Sequence, residues 1–154
     1  MYQKILITTD GSPVSRHTAC AGVQFARQMG AGVLALYVAP SYQYPVAVEI
    51  IPPAYPTEDE YQARMREVGA SHTDDILDAA RQAGVPAAAM TTFADAPALS
   101  IVAVAEAEHC DLIFMGSHGR SGWGQLLLGS VTNKVLSHTT RPVLVHRLIK
   151  EPSS

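Results

Sequence analysis

Thiols are scarce in this chain. Cys20 and Cys110 are its only cysteines and lie far apart, so no disulfide framework and no CxxC redox or zinc motif is available, and both are expected to be buried thiols. Cationic charge is thin as well. Eleven Lys and Arg are scattered among fourteen Asp and Glu, for a formal charge of −3, which leaves no basic field to attract a polyanion. Nucleic acid is therefore not an expected partner. No apolar run approaches the ~20 residues of a membrane span. The opening MYQKILITTDG is too short an apolar run, with no small-residue cleavage pattern, to be a secretory signal. A cytoplasmic protein without membrane association is the expectation. Metal spacing is missing too: His17, His72, His109, His118, His138 and His146 form no HExxH or similar pattern.

What is present is 154 residues, enough for one domain whose core needs no staples. Residues 1–150 are expected to form it, with 151–154 as a polar tail. Lys4 to Thr9, KILITT, is β-branched and apolar without polar alternation, as in a parallel strand covered on both faces. Asp10-Gly11-Ser12-Pro13 then supplies a turn, an N-cap in Ser12 and a proline at the first position of a helix. That helix should run to about Met29 with Ala19, Val23 and Ala26 on one stripe, and close at Gly30. Gly32 to Val38 is a second buried strand, stopped by Pro40.

Residues 39–56 carry five prolines with Tyr42, Tyr44 and Tyr55, a composition that resists regular structure and reads as a long loop, either a contact surface or lid or a mobile insertion. Thr57 and Glu60 make a capping box for one long helix, with Tyr61, Met65, Val68, Ile76 and Ala80 at helical spacing, ending at about Ala83 before Gly84. Pro86 to Phe93 is an alanine-rich third strand. Asp95 is expected to cap a helix from Pro97 to about Glu108, apolar on most sides and so deeply buried. Leu112 to Met115 is strand four, Ser130 to about Ser137 the last helix, and Val143 to Val145, extending toward Leu148, the last strand. Strands alternating with helices imply an α/β fold with an open parallel sheet and right-handed crossovers; periodicity alone yields no strand order.

The chain is organised around Asp111 to Thr132, DLIFMGSHGRSGWGQLLLGSVT, where a strand breaks into glycines and a helix opens at Ser130. The frame G-x2-G-x9-G-S is filled by Gly116, Gly119, Gly129 and Ser130. Glycine lets backbone approach a ligand closely, and the first amides of the helix, on Ser130, Val131 and Thr132, favour an anion together with the helix dipole. The pattern reads as a phosphate cradle. Lys134 falls about one helical turn after Ser130, so it is not a Walker A lysine and belongs to the surface or rim. Gly122-x-Gly124 is not a dinucleotide fingerprint, because Leu127 stands where the third glycine belongs.

This frame resembles the nucleotide-binding signature of the universal stress protein family, and the flanking strand ends extend the likeness over nearly the whole chain. The resemblance implies a three-layer α/β/α fold, Rossmann-like and similar to the adenine nucleotide alpha hydrolases, with an open five-stranded parallel sheet in the order 3-2-1-4-5. Ligands in such sheets sit outside the carboxyl ends of the strands where the winding reverses, here between strands one and four. The ligand so implied is ATP, carrying Mg2+. Met115, Gly116, Gly119, Gly129, Ser130, Val131 and Thr132 match the positions that wrap ribose and phosphates, and Thr9 and Val38 match those lining the adenine. The resemblance also implies a stress-response module that pairs as a homodimer through residues 142–147, with an unknown protein partner.

Asp10, facing the same crevice, is a carboxylate suited to ribose hydroxyls or to a phosphate-bound Mg2+; the alternative is a turn-forming Asp that caps the first helix. Arg120, charged at any working pH, is a better screen for phosphate charge than His118, though either is equally readable as a solvated loop residue. No catalytic residue is nominated, since no general base is evident and the SGGxDS, HIGH and KMSKS motifs of enzymes resembling this fold are absent. Slow ATP hydrolysis, and an interaction protein that binds no nucleotide, are the alternatives.

Overall fold

A computed structural model describes residues 1–45, 50, 54–117 and 128–148 of the chain. Nine elements follow in order: β1 (Lys4–Thr9), α1 (Pro13–Met29), β2 (Gly32–Ala39), α2 (Glu58–Ala83), β3 (Ala87–Phe93), α3 (Pro97–Ala107), β4 (Leu112–Gly116), α4 (Ser130–His138) and β5 (Val143–His146). The strands form one sheet in the order β3-β2-β1-β4-β5, and every pair in it is parallel. Helices cover both of its faces.

Alternation along each strand divides the apolar side chains between those two faces. Ile5 and Ile7 of β1 join Val33, Ala35 and Phe114 against Val23 and Ala26 of α1 and Ile76 and Ala80 of α2. Leu6, Leu34, Leu36, Ile113 and Met115 point the other way, onto Ile101 and Ala105 of α3 and Val135 of α4. This two-sided burial explains why the strands read as continuous apolar runs. On the first face α1 lies close, for a Cβ on Gly22 would come within 2.8 Å of Ile7 Cδ1 and 2.9 Å of Phe114 Cδ1.

Helix ends follow local chemistry. Ser12 caps α1 by accepting from Ser15 N at 3.2 Å, and Gly30 closes the helix in the left-handed region at φ 68°. Thr57 and Glu60 form the reciprocal capping box of α2, which Gly84 ends at φ 70°. Asp95 does not cap α3. Proline favours the first helical position, so the residue before Pro97, Ala96, becomes the N-cap and has no side-chain hydrogen bond to give. Nor is α3 buried all round: Ala98, Ile101, Val104 and Ala105 face the core, while Leu99 is 51% exposed.

Two further expectations are corrected. Cys20 is exposed because it lies next to Ala19 on α1, off the buried stripe; Cys110 is buried, and burial pushes its thiol pKa up. Leu148 lies beyond β5, which stops at His146.

The described part of the segment between β2 and α2 holds no helix or strand, and its base is fastened by tyrosines. Tyr42 packs against Tyr44, Tyr55 and Tyr61. Its hydroxyl donates to Pro56 O at 2.6 Å, that of Tyr61 donates to Pro40 O at 2.7 Å, and Tyr44 donates to Glu58. At the opposite end of the sheet, the Asp111 carboxylate accepts from the amides of Gln3 and Lys4 and so aligns β1 with β4.

Candidate functional site

The site begins where two strands part. β1 pairs with β2 as far as Thr9 opposite Tyr37, and β4 pairs with β5 as far as Gly116 opposite His146. Between β1 and β4, however, pairing stops at Ile7 opposite Phe114. A crevice therefore opens at the carboxyl ends of the two central strands, where the winding reverses.

On one side stands the β1–α1 turn. Asp10 N donates to Ser15 Oγ at 3.1 Å, Gly11 N to Thr9 Oγ1 at 3.1 Å, and Ser12 N to Asp10 Oδ1 at 2.9 Å. Ser15 Oγ also donates to Thr9 Oγ1 at 3.0 Å. Gly11 sits at φ 79°, in the region that disfavours residues with a side chain. Asp10 thus shapes the turn, as its alternative reading held, but the helix cap is Ser12. Asp10 also lines the crevice, so its part in the turn does not remove it from the cavity wall.

On the other side is the start of α4. Gly129, its N-cap, lies at φ −62° and ψ 159°, and the first intrahelical bond runs from Asn133 N to Gly129 O at 3.0 Å. The amides of Ser130, Val131 and Thr132 consequently have no partner inside the helix, and its positive dipole end accompanies them. Two hydrogen bonds hold this end to β4: Thr132 Oγ1 donates to Gly116 O at 2.9 Å, and Gly129 N donates to Ser117 O at 2.7 Å. The second ties Ser117, just past β4, to the N-cap of α4.

The crevice encloses a cavity of about 320 Å³. Thr9, Asp10, Val38, Met115, Gly116, Gly129, Ser130, Val131 and Thr132 all line it, so the fold brings nine of the sequence-nominated positions into one concavity. Gly119, Arg120 and His118 lie outside the described residues. Lys134 is exposed and does not line the cavity, in keeping with its assignment to surface or rim.

Among the described lining residues Asp10 is the sole titratable side chain. An anion would there meet amides and hydroxyls, and a metal would meet a single carboxylate. No group of three or more His, Cys, Asp or Glu suited to a metal occurs among the described residues, so Asp10 suits a cation that arrives already bound to a ligand's phosphates.

Sequence reasoning missed Thr8, Ser15, Thr18, Leu36, Pro97 and Ile101, which also line the cavity. Leu36, Pro97 and Ile101 bring an apolar wall from β2 and α3. Thr18, one α1 turn beyond Ser15, is 2% exposed, and its Oγ1 has no hydrogen-bond partner among the described residues. The signal that could have found Ser15 and Thr18 is the helical face itself, since they stand three apart and share the side of α1 that meets the strand ends.

Five of the six histidines are among the described residues. His17, His109 and His138 are exposed, His146 stacks on Phe114, and His72 packs on Tyr37. Among the described residues no helix is long and apolar enough to cross a membrane.

The model of the universal stress protein family matches residues 1–147. Universal stress protein MJ0531 of Methanocaldococcus jannaschii is 33% identical over 156 residues, covering 99% of this chain and 84% of its own length. The solved structure of the protein MJ0577 superimposes with a TM-score of 0.77 at 26% identity, over 98% of this chain and 99% of that one. A universal stress protein solved in complex with cAMP has a TM-score of 0.68 at 22% identity, over 95% of this chain and 97% of that one. Another, from Archaeoglobus fulgidus in complex with dAMP, has a TM-score of 0.62 at 19% identity, over 94% of this chain and 97% of that one. At those last identities the likeness is one of fold.

Proposed function

Since the chain belongs to the universal stress protein family, we propose that it binds an adenine nucleotide, ATP with its Mg2+, in the β1/β4 crevice. The observation that carries this reading is the meeting of two unlike ends in one cavity. The α4 amides beyond Gly129 suit the phosphates, while Asp10, which would repel them, suits the sugar hydroxyls or the phosphate-bound cation. The base lies in this reading between Val38 at the end of β2 and the wall of Leu36, Pro97 and Ile101. Gly119 and Arg120 complete the phosphate wrap. That solved relatives of this fold are described with cAMP and dAMP supports an adenine ligand and guides the choice of probes.

In this account the nucleotide is a regulator rather than a substrate. Asp10 is committed to the turn and to positioning, and no other described lining side chain can move a proton at neutral pH. Occupancy stabilises the fold: nucleotide at ~100 times its dissociation constant contributes about 2.7 kcal/mol, large against typical domain stability. The protein then works as a cytoplasmic homodimer. β5 is hydrogen-bonded to β4 on one side, its other edge meets no strand among the described residues, and its four residues are half-exposed, an edge that pairing with a second copy would cover.

A thermal-melt series with Mg-ATP, together with chromatography of the extract from denatured protein, tests the reading. A rising Tm or a co-purified adenine nucleotide is expected. No shift and no nucleotide would overturn it.

A further inference from the structure

The turn that carries Asp10 is braced from outside by a residue on another helix. Hydrogen bonds among Thr9, Asp10, Gly11, Ser12 and Ser15 shape it from within. Across from it stands His72, in the middle of α2. A Cβ built on Gly11 would lie 2.2 Å from His72 Nδ1 and 2.3 Å from Cε1, so the imidazole lies directly against the bare Cα of that glycine. The ring is held in turn by Tyr37, edge to face with centroids 5.0 Å apart. Tyr37 is the register partner of Thr9, the residue at which the turn begins. One helical turn on, Asp75 pairs with Arg16 of α1 at 2.9 Å, so α2 grips the start of α1 at two points.

We infer that His72 is a positioning residue for the ligand's sugar: packed between Tyr37 and Gly11, it fixes the β1–α1 turn and so holds the Asp10 carboxylate at the crevice. This rests on the nucleotide reading above. Gly11 is then required twice over, for its positive φ and for the space the ring fills. His72 is half-buried and does not line the cavity, so its effect reaches the ligand only through Asp10. Removing the ring leaves the α4 amides untouched and loosens the sugar end alone.

The test uses the full chain, titrated calorimetrically with Mg-ATP and with its 2′-deoxy analogue. His72→Ala is expected to weaken ATP binding about fivefold to tenfold, the scale of one net hydrogen bond, and to narrow the preference for ribose over deoxyribose. His72→Phe, which restores a ring of similar shape, should restore that preference. A purely structural role would lower stability and leave the preference unchanged. In nucleotide-free melting, Gly11→Ala should lower Tm, and adding His72→Ala should recover part of the loss by freeing the space for the new methyl group. Additive losses in that cycle, or a ribose preference in His72→Ala equal to wild type, would overturn the inference. A wild-type chain that binds neither nucleotide would overturn the nucleotide reading and, with it, the role of His72 toward a ligand; wild-type binding with an unaffected His72→Ala variant would overturn the role of His72 alone.

Discussion

Thr132 Oγ1 donates a 2.9 Å hydrogen bond to the carbonyl oxygen of Gly116, tying the first turn of α4 to the end of β4. Thr132 is 3% exposed and lines the crevice, so its hydroxyl serves the fold at the wall of the site. Thr132→Val removes the donor and leaves a carbonyl oxygen short of a partner. A loss of about 1–3 kcal/mol in denaturant unfolding is expected, with weakened nucleotide binding because the amide cluster loses its anchor. Unchanged stability would show that the bond contributes nothing.

Thr18 is the opposite case. Its buried Oγ1 has no partner among the described residues, and an unpaired buried hydroxyl costs free energy that an isosteric methyl does not. Thr18→Val is expected to leave nucleotide-free stability unchanged or raise it by up to about 1 kcal/mol. Loss of stability in denaturant unfolding would show that the hydroxyl has an internal partner.

The capping box gives a prediction remote from the cavity. Thr57 accepts from Glu60 N at 3.2 Å, and Glu60 returns the bond by accepting from Thr57 N at 3.0 Å. Thr57→Ala should cost about 1 kcal/mol. Affinity for nucleotide should stay within experimental scatter, because His72 lies four turns into α2.

Acid sensitivity has a local source in Glu106. Arg141 donates to both of its carboxylate oxygens, at 3.1 and 2.7 Å, and holds its pKa below the ordinary carboxylate value, with Thr140 adding a bond. A depressed folded-state pKa contributes stability that is present above the unfolded-state value and is lost as pH falls through the folded one. The wild type should therefore exceed Glu106→Gln in stability at neutral pH, and the gap should close on acidification below the usual carboxylate range. Both side chains reach solvent, so added salt should narrow the gap as well. A gap independent of pH would contradict this origin.

Much of this architecture was legible in the sequence because local chemistry and tertiary role agree. KILITT has no polar alternation because both faces of β1 are covered, and Gly30 and Gly84 mark helix ends because each adopts the left-handed conformation. Strand order was not legible from periodicity and entered only through the family frame, which the sheet order bears out. Asp95 misled because a good capping residue two positions before Pro97 outweighed the rule that the residue just before an N-terminal proline becomes the cap. Cys20 misled because thiols are usually buried, although its place beside Ala19 put it off the stripe. The strand-end and loop positions of the cavity were readable as a motif. Ile101 and His72 were not, since each approaches the crevice or the turn from a helix face that only the packing brings there.

The central claim is that amides just past Gly129 hold the phosphates of an adenine nucleotide. Gly129 has an ordinary extended conformation, so a larger residue strains no dihedral there and any effect is steric. The direct measurement is a calorimetric titration of Mg-ATP into wild type and Gly129→Val, each checked for an intact thermal transition. The account predicts saturable binding to wild type and none to a folded Gly129→Val. Equal affinity in the two, or no heat of binding in either, would contradict it.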